Sequence, residues 1–395
     1  MRLVYVADIR VPSERANAFQ VFAMCSCFDR LGTSVELWHP HRRNNPAMDA
    51  VDDVFSYFAV PPFPLRELAT WDWRWLNRRW KRAWAQTHAL RFAVTSLAAL
   101  RRLDERDVVV FTRDLWLAFL LARAKARGRR PLTIVYEGHT FPQGARKRWI
   151  PRLRHCDLVV TITESLARSF EKAGIPRERI LVAPDGVDLA SYQEPVDTGA
   201  VRHRLGLEST DRLVVYTGHL FEWKGTDTLI DAASDIPATV LFVGGTRRDL
   251  DRSEDRAGEF AGNRVRFVGH VPPSDVPAYQ VAADVLVLPN SSKLAISREH
   301  TSPLKLFEYM AARRPIVASD LSSIREILTD GVNAVLVEPD NPEALAVGIR
   351  RVLDNSEWAE QLAARAYEDV KQYTWEKRAR RILDRLETVL ASREL

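Results

Sequence analysis

TSPLKLFEYMAARRPIVASDLSSIREIL, residues 301–328, joins a phosphate-sized cradle to a carboxylate at fixed helical spacing. Pro303 suits the first turn of a helix running to about Arg313, because proline leaves no N–H unpaired there. The unpaired backbone N–H groups within residues 302–305, of which Pro303 has none, then face an anion, which makes Ser302, Pro303 and Leu304 candidate contacts for it. Glu308 follows on the same helix, where an ionised carboxylate takes two hydrogen bonds from a vicinal diol such as a ribose. The competing reading of Glu308 is an acid on a solvated face. Leu304, Phe307, Met310 and Ala311 form the apolar face at helical spacing, with Glu308 beside it. PIVAS then reads as a buried parallel strand, and Asp320, Ser322 and Ser323 as the turn into the next helix.

Working outward, the same alternation of short apolar runs and amphipathic stretches recurs along the chain. LVYVAD, VELWH, DVVVF, LTIVYE and DLVVTIT are strands of a first α/β series, with a helix from about Asn17 to Leu31. RLVVYTG, ATVLFVGG, VRFVGH, DVLVLP, PIVAS and AVLVEP are strands of a second, and the turn-rich PDGVDLASYQEPVDTGA at 184–200 connects the two. The chain therefore reads as α/β, with one Rossmann-like domain over 1–190, another over 191–372, and a last segment, 373–395, that is mostly helix. Neither series opens with G-x-G-x-x-G and no G-x-x-x-x-G-K-[ST] occurs, which argues against dinucleotide oxidoreductases and P-loop NTPases.

The 395 residues suit two domains, each able to bury a core, and 46% hydrophobic with 28% charged residues is the balance of a soluble globular protein. No apolar run has the length of a spanning helix, and MRLVYVADIR reads as a first strand rather than a signal peptide, so a cytoplasmic location is expected. Cys25, Cys27 and Cys156 are too few and too unevenly spaced for a zinc site or disulfide framework and read as buried thiols. No His or Asp cluster calls for a metal, and no metal or other cofactor is expected.

After the strand RLVVYT comes GHLFEWKGTDTLI, residues 218–230. Lys224 and Gly225 end that loop where a helix starts, so a cation, helix N–H groups and a close backbone approach meet in the outline of a diphosphate site. The alternative, a solvated loop lysine, loses weight once the cradle near residue 303 is counted with it. Together with VRFVGHVPPSDVPAYQVAADVLVLPN and the 301–328 stretch, this segment resembles the donor domain of retaining glycosyltransferases of family four. In the first half, IRVPSERANAFQVFAMCSCFDRLGTSVELW, VYEGHTF and LVAPDGVDLASY resemble that family's acceptor domain, so the resemblance covers essentially the whole chain.

The resemblance implies a GT-B architecture, two Rossmann-like domains facing across a cleft, with the helix in YTWEKRARRIL crossing back to the first. It implies transfer of a sugar from a nucleotide sugar, UDP- or GDP-linked, to a glycan or lipid-linked acceptor, with retention and without metal, in cell-surface polysaccharide or glycolipid synthesis. Lys224 is then expected at the donor diphosphate, Glu308 at the ribose, Ser302 to Leu304 at phosphates and sugar, and Gly269 and Val271 beside the base. Gly218 and His219 open the phosphate loop. His139 is expected at the donor sugar, and Arg15 and Asn17 at the acceptor. Two positions depart from the family pattern. His300, next to Glu299, stands where the first of two glutamates is usual, and His219 stands where an arginine often joins the lysine. Asp185 and Asp188 read as turn residues without a chemical role.

ELATWDWRWLNRRWKRAWAQTHALRF, residues 67–92, holds five tryptophans among many bases. At 100° per residue Trp73, Leu76, Trp80 and Trp84 share one helical face, with Arg78 and Arg82 opposite, as in helices that lie in a membrane interface. This predicts contact with an anionic membrane surface, peripheral on the inner face of the cytoplasmic membrane; packing of the tryptophans on the first domain is the other reading. A second class of function is a non-catalytic, membrane-associated partner that keeps the GT-B fold. Nucleic-acid binding is not expected, since no nucleic-acid module is present.

Overall fold

Apolar runs without alternation are what a parallel sheet covered on both faces demands, and they become its strands here. A computed structural model describes residues 1–42, 44, 46–70, 81–103, 108–127, 132–260, 264–300 and 302–392. The chain divides into two units, Met1–Pro184 with Trp375–Leu395, and Asp185–Thr374. This two-unit α/β fold is the one the strand pattern indicates.

In the first unit β1 (Arg2–Val6), β2 (Ser34–Pro40), β3 (Leu65–Leu68), β4 (Val108–Thr112), β5 (Thr133–Gly138), β6 (Leu158–Thr161) and β7 (Ile180–Val182) form one parallel sheet, ordered β3-β2-β1-β4-β5-β6-β7. β3 and β7 escape the apolar-run reading because LREL exposes its middle residues and ILV is only three residues long. Helix Ala16–Arg30 packs against the C-terminal helix Trp375–Ala391, where Phe19 meets Trp375 edge-on at 6.4 Å. All three cysteines are buried.

The second unit holds β8 (Leu213–Thr217), β9 (Thr239–Val243), β10 (Val265–Gly269), β11 (Val285–Leu288), β12 (Ile316–Ser319) and β13 (Val335–Val337), a parallel sheet ordered β10-β9-β8-β11-β12-β13. Alternate residues serve two cores. Leu213, Val215, Leu241, Leu286 and Ile316 pack with Phe307 and Met310 on one face, while Val214, Tyr216, Phe242 and Val287 pack with Leu229 and Ile349 on the other. Strand order reverses between β1 and β4 in one sheet and between β8 and β11 in the other. Open α/β sheets leave a crevice at the carboxyl ends of such strands.

The unit borders fall at 184/185 and 374/375 rather than at 190/191 and 372/373. Asp185 and Val187 are tied to the second unit, the Asp185 amide donating to Ser302 Oγ at 3.3 Å and the Val187 amide to the Tyr373 carbonyl at 2.9 Å. Trp73, Arg78 and Trp80 lie outside the described residues. Arg82 and Trp84 fall on helix Lys81–Leu100, in a stretch whose side chains are likewise outside them.

Candidate functional site

In the second unit the candidate site gathers at the carboxyl end of β8. Gly218, next in the chain, has φ +118° and donates its amide to the Val243 carbonyl at 2.7 Å. Lys224 closes the turn Glu222–Lys224, and Gly225 follows with φ +69° as the residue before helix Thr226–Ala232. A Cβ on Gly225 would stand 1.7 Å from the Pro289 carbonyl oxygen, so only glycine lets this loop lie against the end of β11.

Helix Leu304–Ala311 supplies the facing residues, with Pro303 just outside its first turn rather than in it, and Ala311 rather than Arg313 as its last residue. Glu308 is half-buried and accepts a hydrogen bond of 3.1 Å from Gln280 Nε2. Gln280, fully buried on helix Val276–Ala282, also donates to Thr217 Oγ1 at 3.0 Å and accepts from Tyr192 at 2.6 Å. Thr217 in turn donates its amide to Tyr309 Oη at 2.8 Å. This chain of contacts orients the Glu308 carboxylate at the strand end. Burial raises the Glu308 pKa, and the Gln280 hydrogen bond, Lys305 and Lys224 offset part of that. Burial also pulls the Lys224 amine down to about 8 against the opposing pull of Glu308.

Lys305 is a member of this group that the sequence reading passes over. It is buried, its Nζ makes no hydrogen bond among the described residues, and it sits 3.5 Å from the centroid of the Tyr216 ring. The apolar-face assignment for this helix is corrected accordingly: Leu304 is half-buried while Lys305, Leu306, Phe307, Tyr309 and Met310 are buried, because the helix is covered on more than one side. A signal was present in the sequence, since a cation in a helix's first turn opposes the helix dipole.

The remaining donor-side candidates take varied places. Gly269 ends β10, accepting the Gly244 amide at 2.6 Å, and Val271 follows half-buried. The His219 ring stacks on Phe221 with centroids 5.0 Å apart. His300 is buried at the end of the wide turn Ile296–His300, 4.0 Å from Glu299, and burial lowers its pKa. Ser302 is buried against the Asp185 amide.

The first unit has its own polar group at the carboxyl end of β5. Glu137, buried in that strand, accepts from Tyr5 Oη at 2.7 Å and pairs with Arg378 of the C-terminal helix. His139 Nε2 lies 3.4 Å from Glu137 and 3.3 Å from Gln20 Nε2, and Arg113 Nε is 3.8 Å from Glu137. Burial would raise the Glu137 pKa, but Arg378, His139 and Arg113 outweigh it and hold the carboxyl well below its usual range. Burial and then Arg113 push His139 down to about 4, so the imidazole is neutral at physiological pH. Glu137 is the hub that orients His139. Arg15 and Asn17 are exposed, and the Asn17 carbonyl accepts from Arg113 at 3.2 Å.

No group of three or more His, Cys, Asp or Glu able to hold a metal ion is found among the described residues, and no helix among them is long and apolar enough to cross a membrane. Residues 19–191 match the family described as Glycosyltransferase Family 4, and residues 197–369 match Glycosyl transferases group 1. The chain belongs to glycosyltransferase family four. Among the relatives of this family-four chain, the D-inositol 3-phosphate glycosyltransferase of Xylanimonas cellulosilytica is 30% identical over 56% of this chain and 53% of that one. The phosphatidyl-myo-inositol mannosyltransferase of Mycolicibacterium smegmatis is 30% identical over 57% and 55%. The match thus spans about half the length of these curated relatives. Solved structures of the same fold include Anabaena Alr3699/HepE in complex with UDP-glucose, at a TM-score of 0.76 with 18% identity over 98% of this chain and 100% of that one. Sucrose-phosphate synthase from Thermosynechococcus elongatus reaches 0.77, with 19% identity over 99% and 100%.

Proposed function

We propose that this family-four chain is a retaining, metal-independent glycosyltransferase that moves a hexose-like sugar from a UDP- or GDP-sugar to a glycan or lipid-linked acceptor. The observation that carries the reading is the joined set Lys224, Gln280 and Glu308 at the carboxyl end of β8. It offers a cation for a diphosphate and an oriented carboxylate for a diol within one scaffold. The donor belongs to the second unit, with Gly218, His219, Gly269, Val271, His300, Ser302, Pro303 and Leu304 around it. The first unit contributes His139 to the sugar, and Arg15 and Asn17 to the acceptor. The leaving phosphate oxygen assists deprotonation of the acceptor hydroxyl on the same face of the sugar, so the protein's task is to position both and stabilise the departing diphosphate.

Calorimetry with UDP, GDP, ADP and their common sugars tests the donor site, followed by NMR of the anomeric proton in the product. Saturable binding of one nucleotide family, retention, and activity that survives EDTA are expected. An inverted product would overturn the mechanism, and loss of activity in EDTA restored by a divalent ion would overturn the metal independence.

The Lys224 amine, with a pKa of about 8, carries most of its charge at pH 7. Binding of UDP or GDP is therefore expected to weaken as pH rises through 8, by up to about tenfold per unit beyond it. Stability moves the other way: the unfolded amine binds more protons between about 8 and its ordinary value of 10.5, so this group's contribution rises with pH across that window.

The name of the Mycolicibacterium relative, a phosphatidyl-myo-inositol mannosyltransferase, supports a lipid acceptor, a place in polysaccharide or glycolipid synthesis and a peripheral position at the membrane. The basic, tryptophan-rich 67–92 stretch supports the same reading. Vesicles containing phosphatidylserine should bind the protein at low salt, less so at high salt and after Trp80→Ala with Trp84→Ala; unchanged binding by that variant would remove the assignment.

A further inference from the structure

We infer that Lys305 is a second cation of the anion site beside Gly218, standing in for the basic side chain absent at His219. The inference rests on the donor-site reading above and concerns a residue to which that reading gives no role.

Lys305 occupies a position that opposes a charged amine on three counts. It is buried, with 6% of its surface exposed, and its Nζ has no hydrogen-bond partner among the described residues. It is the second residue of helix Leu304–Ala311, at the end where the helix dipole disfavours positive charge. It also feels the like charge of Lys224. The Tyr216 ring face, 3.5 Å away, and Glu308 are the favourable neighbours it has among the described residues. A methionine of similar length would fill the same space without these costs, so packing alone does not account for a lysine.

An anion removes all three costs together. Lys305 Nζ lies 3.0 Å from where a Cβ on Gly218 would stand, so the absence of a side chain there leaves the amine against the loop that follows β8. Lys224, Lys305 and the first N–H groups of helix Leu304–Ala311 then form one concentration of positive charge, opposed by Glu308. His219, whose ring is stacked on Phe221, contributes no guanidinium. A diphosphate is the ligand class that matches two amines and a helix N-terminus. The titratable groups against Lys305 are Tyr216 on β8, Lys224 in the turn after it and Glu308 on its own helix. Burial and Lys224 hold the amine's pKa well below its usual value, so arrival of a diphosphate charges it by proton uptake.

The test is calorimetry of UDP, uridine, GDP and guanosine on wild type and Lys305→Met, each in PIPES and in Tris at pH 7.5, with melting temperatures alongside. For the nucleotide that binds wild type, Lys305→Met is expected to lose about tenfold or more in affinity. The matching nucleoside should bind both proteins equally, and the variant should melt no lower than wild type. Proton uptake on nucleotide binding should be smaller in the variant. Equal diphosphate affinity in both proteins, or equal loss for nucleotide and nucleoside, would overturn the role of Lys305 and leave the donor site standing. If wild type binds neither UDP nor GDP, the donor reading fails and this inference with it. Should Lys305→Met not fold, Lys305→Gln replaces it, and wild-type binding without proton uptake would refute the inference by itself.

Discussion

Arg378→Met is expected to destabilise the first unit by about 3–5 kcal/mol, the cost of stranding a buried carboxylate whose partner is removed. Arg378 and Glu137 are both almost fully buried, at 4% and 1% exposure, and Arg378 also donates through Nε to the Ala183 and Pro184 carbonyls, at 3.2 Å and 3.1 Å. One side chain of the C-terminal helix therefore holds both the hub carboxylate of β5 and the last residues before the unit border. Thermal melts and urea denaturation of the two proteins check this, with each kcal/mol worth about 2–4 °C for a unit of this size. Adding Glu137→Gln to Arg378→Met should recover part of the loss, because the stranded charge is gone. A melting point within about 2 °C of wild type would show that the pair carries little. The His139 ring reports independently: Arg378 lowers its pKa, so the imidazole should become more basic in the variant, followed by NMR titration.

Lys224→Met should reduce sugar transfer by roughly 10²–10³-fold, the magnitude typical of removing one fixed group that stabilises developing charge. The leaving group gains charge as the glycosidic bond breaks, so the amine counts for more in the transition state than in the bound donor. The loss should appear in kcat as well as in donor affinity, and a change confined to KM would assign Lys224 to ground-state binding alone. Stability should hold, since the substitution removes a desolvated amine rather than an apolar contact. Steady-state rates on a donor identified by calorimetry, with circular dichroism to confirm folding, make the comparison. Transfer at the wild-type rate would remove Lys224 from the mechanism.

The sheets were legible in one dimension because parallel strands covered on both faces must be apolar at successive positions, as in DVVVF or DVLVLP. The same physics hid β3 and β7: an edge strand meets solvent, and its sequence carries no such run. Motif spacing likewise singled out Lys224, Gly225 and Glu308 as candidates, since a loop cation and a helical carboxylate at set distances from strand ends are local features. What could not be read locally was who meets whom. The partners of Glu137, namely Tyr5, Arg113 and Arg378, come from distant parts of the chain. Gln280 and Tyr192 lie 28 and more residues from Glu308, yet the carboxylate is oriented through them. Lys305 is the sharpest case. Its neighbours along the helix gave an amphipathic pattern with a lysine outside the apolar face, and only the second layer of packing buried the amine. Hydrophobic periodicity is a property of consecutive residues and survives in the sequence, whereas the desolvation and pairing of a charge depend on contacts that exist only once the chain has closed on itself.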